Sequence, residues 1–279
     1  MKVKFWGVRG SIPVPGAKTL KYGGNTSCVE LHCDEKTIIL DCGSGIRALG
    51  LDIEERGFVK ESGKKELYIF LSHVHWDHIQ GFPFFRPAFD PEFEINLYSS
   101  LHSNVDIECA LRGQMVEPYF PIRLSDMPAR MNFKEIKSGE GVQIDKIVVK
   151  SVSLNHPGGS LGYKIISDNK SVAYISDHEH TEESRQNLVD FLNNTNMVIF
   201  DAHYTPEEYS GADGSGGRKG WGHSTWRHGV ELCREANIDQ LILTHHGRED
   251  LEIEKIELMT QKEFPNAIAA YEGLEIDLG

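Results

Sequence analysis

Three histidines and an aspartate crowd into six positions after a short apolar run: Leu67 to His78 reads LYIFLSHVHWDH. The run predicts a strand. His73 and His75, two apart, can converge as the chain leaves that strand, while Asp77 and His78 fall where a loop or helix start can turn them toward a second ion. Imidazole and carboxylate together suit zinc or another divalent first-row metal. A lone histidine at a strand end is ordinarily a solvated polar residue, but four ligand-type side chains so close together outweigh that reading. The pattern recurs down the chain. Val152 to Leu154 leads to His156, Ser171 to Ser176 to Asp177, Met197 to Phe200 to Asp201 and His203, and Leu241 to Thr244 to His245 and His246. His73, His75, Asp77, His78, His156, Asp177 and His245 together are too many donors for one tetrahedral ion and suit two. A carboxylate-bridged pair of ions holding a water that ionises near neutral pH performs hydrolysis.

The elements that must carry these residues are short strands separated by helical stretches. Lys2 to Val8 alternates and ends in a glycine-punctuated turn, where Arg9 reads as a surface arginine, with an anion contact as the alternative. Ser27 to Cys33 predicts a half-buried strand with His32 on its polar face. Thr37 to Leu40 is a strand closed by Asp41, and Ile46, Leu49 and Ile53 then repeat at helical spacing. Thr181 is an N-cap candidate before Leu188, Phe191 and Leu192, as is Ser224 or Thr225 before Trp226, Val230 and Cys233. Residues 101–135 read as irregular and lie over the site mouth, and Gly211 to Gly220 reads as a flexible loop. Strands alternating with helices argue for an α/β fold, sheets covered by helices.

Composition narrows the rest. The chain has 279 residues, 39% hydrophobic and 25% charged, enough for one substantial core. Its net charge of -13 argues against a broad grip on a nucleic acid backbone. The five cysteines, Cys28, Cys33, Cys42, Cys109 and Cys233, never form CxxC and read as reduced core residues of a cytosolic protein. The opening MKVKFWGVRG lacks the apolar segment of a secretion signal, and no run approaches a membrane span. The expectation is a soluble, cytoplasmic protein with no membrane partner.

His73, His75, Asp77 and His78 match the signature HxHxDH, and the chain here resembles the metallo-β-lactamase-fold hydrolases. The later donors follow in that family's order. The resemblance implies that His156 completes the first metal site, Asp177 bridges, and His245 completes the second beside Asp77 and His78; His245 is preferred over His246 because it directly follows Leu243-Thr244. It also implies a four-layer αββα sandwich of two mixed sheets with helices outside, one domain over 1–279 with similar halves at 1–140 and 141–279, and a homodimer. Gly222-His223-Ser224-Thr225, with Leu243-Thr244-His245, is most similar to the branch containing transfer-RNA 3′-processing endonucleases, cyclic-phosphate diesterases and cyclic-nucleotide phosphodiesterases. That likeness implies that His223 stabilises or protonates at the scissile phosphate. Asp201 stands where the nuclease relatives carry Glu and would orient His223 from a shorter side chain. Asp77 would orient the nucleophile as well as bind metal.

The expected activity is that of a binuclear metal-dependent phosphodiesterase, a di-metal-bridging hydroxide attacking a small or cyclic phosphodiester. Two divalent ions are implied, zinc first, with manganese or iron accepted by the same donors. Nucleic acid is disfavoured, because the 211–220 loop holds only Arg218 and Lys219 as cations. Two alternatives stand beside this. One is an ester, thioester or lactam hydrolase, which does not need His223; the other is a non-hydrolytic di-iron redox or sensor protein, whose relatives replace the histidine at the His75 position by Glu. His178, Glu179 and His180 either line the pocket or belong to a solvated helix entry. His102, Cys109 and His228 read as structural, and Trp221 as either a substrate wall or core.

Overall fold

Apolar strands that stop at polar residues fold into two seven-stranded sheets. A computed structural model describes residues 1–57 and 65–279. In chain order the elements are β1 (Lys2–Gly7), β2 (Cys28–Cys33), β3 (Lys36–Leu40), α1 (Ile46–Arg56), β4 (Lys65–Phe70), α2 (Trp76–Ile79), β5 (Phe93–Ser99), α3 (Ile107–Gln114), β6 (Arg130–Glu135), β7 (Gly141–Ile144), β8 (Ile147–Leu154), β9 (Ser160–Ser167) and β10 (Lys170–Ile175). They continue as α4 (Glu182–Leu192), β11 (Met197–Asp201), α5 (Pro206–Ser210), α6 (Trp226–Glu235), β12 (Gln240–Thr244), α7 (Asp250–Glu263), β13 (Ala267–Ala269) and β14 (Glu275–Asp277).

The first sheet runs β14-β1-β2-β3-β4-β5-β6 and the second β13-β12-β11-β10-β9-β8-β7. Both are mixed: β3 to β6 and β10 to β13 are parallel, and the remaining neighbours are antiparallel. The last strand, β14, crosses back to pair with β1. One apolar cluster holds Phe5, Leu31 and Phe70 of the first sheet together with Tyr163, Tyr174 and Ile199 of the second, so it lies between the sheets. A second joins the first sheet to α1 and α3, and a third joins the second sheet to α4, α6 and α7. Four layers result, helix, sheet, sheet, helix. The interior strands β10 and β11 are buried along nearly their whole length, as parallel strands covered on both faces must be. Inside the inter-sheet core the Tyr163 hydroxyl donates to the Leu71 carbonyl at 2.6 Å, tying the sheets together one residue before Ser72 and His73.

The expected helix starts are present: Thr181 accepts from Ser184 N, and Thr225 rather than Ser224 caps α6 by accepting from His228 N. Several readings are corrected. Residues 101–135 are not irregular throughout, since Asp106 caps the eight-residue α3 and β6 forms an edge strand. The β2 strand is not half-buried with a polar face: Glu30 is buried and accepts from Trp6 Nε1 at 2.9 Å, with Arg56 and His32 also against its carboxylate. Arg9 is not at the surface; it is fully buried, donating to Gly23 and Arg248 carbonyls and to Asp250 Oδ1 at 3.0 Å. Cys109 is exposed, while the other four cysteines are buried and all five are free thiols. Among the described residues no helix is long and apolar enough to cross a membrane.

Candidate metal centre

Each parallel strand in the middle of a sheet ends at the same rim, where ligands of such sheets gather. β4 runs out through Leu71 and Ser72 into His73 and His75, and the short α2 then presents Asp77 and His78. β8, β10 and β12 deliver His156, Asp177 and His245 from the other sheet, and β11 ends on Asp201 itself. Among the described residues four donor groups form, and two of them together hold all seven candidate ligands. His73, His75, His156 and Asp177 have donor atoms within 4.8 Å of one another, as do Asp77, His78, Asp177 and His245.

The edges of these groups test whether an ion fits. Tetrahedral arms of ~2.1 Å place neighbouring donors ~3.4 Å apart. In the second group His78 Nε2 lies 3.3 Å from Asp77 Oδ2 and 3.2 Å from Asp177 Oδ1, and His245 Nε2 lies 3.2 Å from each of the same two oxygens. In the first, His73 Nε2 and His156 Nε2 lie 3.5 and 3.6 Å from Asp177 Oδ2, and His156 Nε2 lies 3.0 Å from His75 Nδ1. Asp177 thus turns one oxygen to each group. His73 Nε2 and His78 Nε2 are buried without a hydrogen-bond partner, an arrangement a metal ion resolves. Both donor sets fit divalent ions. Burial holds His73, His75 and His156 below the usual imidazole pKa, the neutral form that ligates. His78 goes the other way: burial opposes its charge, but the carboxylates of Asp177, Asp77 and Asp41 raise it.

His246 leaves the centre, its Nε2 donating to the Ala270 carbonyl at 3.0 Å. His223 lies outside these two groups but belongs to two further ones, with His203 and His245 and with Asp177, Asp201 and His245, and its ring stacks on His245 with centroids 4.9 Å apart. Its Nδ1 donates to Asp201 Oδ2 at 2.8 Å, so the shorter carboxylate reaches the imidazole. Asp201 is fully buried and also accepts from His203 N and His178 N, which fixes its plane. Burial works against a charged His223, yet Asp201, with Asp177 and Asp77 behind it, pushes its pKa up to about 9. Asp201 is held below the usual carboxylate range despite burial, because His223 faces it.

Three supporting residues were not assigned by the sequence. Asp41 accepts from His78 Nδ1 and the Tyr174 hydroxyl, each at 2.7 Å, and from Ser72 N at 2.7 Å, aiming the His78 ring so that Nε2 points to the centre. Its place at the end of β3 was the available signal. Glu179 does not sit in a solvated helix entry: it accepts from Tyr209 Oη and Gly220 N at 2.8 Å and from Gly222 N at 2.9 Å. It therefore ties both ends of the 211–220 loop beside His223, and Gly222 in turn accepts from His156 Nδ1 at 2.8 Å. His203, at a strand end like the ligands, stacks on His223 at 4.7 Å. His178 accepts from Asn155 N, His102 Nδ1 meets the Gly159 carbonyl, and His228 Nδ1 accepts from Thr225 N, all structural contacts. Trp221 is 60% exposed, which removes it from the core, and the Arg218 guanidinium lies over its ring.

Comparison with known proteins bears on the family and the fold. The family described as beta-lactamase superfamily domain matches residues 36–246. A ribonuclease Z of Archaeoglobus fulgidus is 22% identical over 99% of this chain and 97% of its own length. The structure of the metallo-beta-lactamase fold protein YhfI from Bacillus subtilis superposes with a TM-score of 0.73 at 16% identity, over 99% of this chain and 98% of that one. The short form of human tRNase Z superposes over the whole of both chains with a TM-score of 0.69, also at 16% identity.

Proposed function

The chain belongs to the beta-lactamase superfamily, and from that premise we propose that it is a metal-dependent phosphodiesterase acting on a small or cyclic phosphodiester. The observation that carries this reading is the His223–Asp201 pair set beside two donor groups that share Asp177. Expelling an alkoxide from phosphate gives a task to a second, carboxylate-backed imidazole.

His73, His75 and His156 would hold one ion, Asp77, His78 and His245 the other, and Asp177 both. Bound there, two divalent ions, zinc first by donor type, supply an activated water and neutralise charge developing on the phosphate. The protein's own part begins with orientation. Asp41 fixes His78, the Gly222 carbonyl fixes His156, and Asp201 fixes His223. With Nδ1 committed to Asp201, His223 keeps Nε2 for substrate. As the phosphorus–oxygen bond to the leaving arm breaks, the Nε2 proton passes to that oxygen, and Asp201 remains a carboxylate that stabilises the imidazolium beforehand. The free thiols support a reducing, cytoplasmic setting.

A second reading is favoured by one observation: relatives that match nearly the whole chain are ribonucleases Z. Against an extended RNA stands the net charge of -13, with Arg218 and Lys219 the cations of the 211–220 loop. The deciding experiment assays protein loaded in turn with zinc, manganese and iron against bis(p-nitrophenyl) phosphate, cyclic nucleotides and a precursor transfer RNA. Turnover of the small diesters is expected. Cleavage of the RNA alone would replace the small-substrate reading, and carboxylic ester or lactam hydrolysis with no diester turnover would overturn both.

A further inference from the structure

The metal centre and the His223–Asp201 pair leave one histidine of the rim without a task. His203 follows β11 by two residues, and the β11–β12 register, with Asp201 opposite Thr244, brings it alongside His245. Ala202 N donates to Thr244 O at 3.1 Å and continues that ladder. His203 Nδ1 then donates to the His245 carbonyl at 3.0 Å. The backbone of His203 is bonded on both sides: its N donates to Asp201 Oδ1 at 3.0 Å, and its carbonyl accepts from Arg248 Nη2 at 2.9 Å. Gly247 packs against the ring so closely that a Cβ there would stand 2.6 Å from His203 Cε1.

The ring so held presses on His223. Their centroids are 4.7 Å apart with planes at 25°, His223 and His245 are 4.9 Å apart at 24°, and His203 and His245 are 5.3 Å apart. Three nearly equal distances make a triangle, so His203 and His245 support His223 side by side instead of from opposite faces. His245 is a candidate ligand, whereas His203 lies in neither of the two groups that hold the seven candidate ligands and shares a donor group only with His223 and His245. His223 needs such support. Its bond to Asp201 at 2.8 Å anchors Nδ1, but one hydrogen bond leaves an imidazole free to swing about that contact, and the swing displaces Nε2. A misplacement of ~1 Å costs ~10²-fold at a reacting centre, and packing against a fixed neighbour is what locks such a side chain.

We propose that His203 is a positioning residue: its ring face sets the tilt of His223, and its bond to the His245 carbonyl ties that tilt to the metal centre, so that His223 Nε2 stays in register with the leaving oxygen. The assignment rests on the diesterase reading and adds to it a residue that touches neither substrate nor ion.

Two variants separate the ring from its hydrogen bond. His203→Asn keeps an N–H donor near the place of Nδ1 and removes the ring, while His203→Phe keeps a ring and removes both nitrogens. In zinc-loaded protein His203→Asn should lower kcat by ~10-fold or more for a diester that releases an alkoxide, a share of the ~10²–10⁴ that a general acid supplies. KM and zinc content should not change, and a p-nitrophenyl diester should stay within about twofold. His203→Phe should recover most of the lost rate, which a metal ligand or a proton carrier could not do. Proton spectra give a readout without turnover. The His223 Nδ1 proton, held against buried Asp201 and identified by its loss in His223→Gln, should be sharp in wild type and His203→Phe and broadened by exchange in His203→Asn. An unchanged alkyl-diester rate in His203→Asn, equal losses on the two substrates, or a folded His203→Phe as impaired as His203→Asn would overturn the proposal. Should melting show His203→Phe unfolded, the split between the two diesters and the broadened resonance of His203→Asn decide. Wild type that turns over no diester overturns the diesterase reading instead, and the resonance then tests the positioning of His223 by itself.

Discussion

Replacing Asp201 by Asn removes one charge and leaves the shape of a fully buried side chain almost unchanged. The carboxylate faces three donors, His223 Nδ1, His203 N and His178 N. An amide offers only one acceptor atom, so its NH2 group must point at one of the three. His223 stands to lose most, because its charged form is what Asp201 stabilises. The lift of its pKa from 6.5 to about 9 is worth about 3 kcal/mol between protonation states. Losing Asp201's share of that lift, the largest, shifts the imidazole toward the neutral form at pH 7.5, and proton donation to the leaving oxygen falls by ~10²-fold, inside the ~10²–10⁴ range of general acid catalysis. Two diesters with the same phosphate anchor separate this from loss of binding. One releases an alkoxide, which needs the proton, and the other releases p-nitrophenolate, which is stable as an anion. Asp201→Asn should depress kcat for the alkyl diester by ~10²-fold and for the nitrophenyl diester several-fold, with metal content unchanged. Equal losses on the two substrates would refute a general acid at His223 and leave Asp201 as a packing residue.

The remaining expectations concern the residues behind the centre. Asp41→Asn should weaken the ion held with His78 by ~10–100-fold while sparing its neighbour, seen as one of two ions released early in a chelator titration; simultaneous release would argue against the orienting role. Glu179→Gln leaves a donor facing Tyr209 Oη, Gly220 N or Gly222 N, so the 211–220 loop should be cut faster by a protease and kcat/KM should fall. An unchanged cleavage rate would remove Glu179 as the latch. Burial, with His180 next to it, holds His228 at about 4, below its unfolded value near 6.5. Its neutral form thus contributes stability that is complete above pH 6.5 and lost as pH falls toward 4, roughly 2 kcal/mol by pH 5. Urea melts should show His228→Gln losing less stability than wild type between pH 7.5 and pH 5; parallel losses would contradict the assignment.

The candidate ligands were legible because each is announced locally. His73, His75, Asp77 and His78 sit within six residues, and His156, Asp177 and His245 each follow an apolar run, which fixes the strand before the fold is known. The cap Thr181 was readable for the same reason, and Thr225 as one of two candidates beside Ser224. What escaped depends on partners far away in the chain. Glu30 looked like the polar face of a strand because periodicity carries no information on Arg56, which comes 26 residues later and lets the carboxylate be buried. Arg9 is satisfied by Arg248 and Asp250, some 240 residues on. Asp41 stood in the right kind of place, yet its function is set by Tyr174 from the other sheet. Residues 101–135 failed differently: α3 is short, Asp106 is its cap, and three nearby prolines masked it.

The strand ends explain why such separated residues meet so tightly. Asp41, Asp177 and His245 all have positive φ, 62°, 27° and 62°, a region costly for non-glycine residues. Each is the first or second residue past a strand, β3, β10 or β12, so the left-handed turn folds its side chain back over the sheet rim instead of letting it run on with the strand. The strain, of order 1–3 kcal/mol per residue, persists only if the fold imposes it. For His245 the imposing contacts are visible: His246 N donates to Val8 O at 2.9 Å, and Gly10, which tolerates no side chain there, packs on the ring. The partner groups of the second donor set, Asp77 and His245, are 168 residues apart. No short segment of the chain can assemble that set, so an ion binding there selects the state in which both sheets are closed and all three turns are made. Bound metal then offsets the backbone strain, and metal occupancy and closure of the two sheets are a single linked equilibrium.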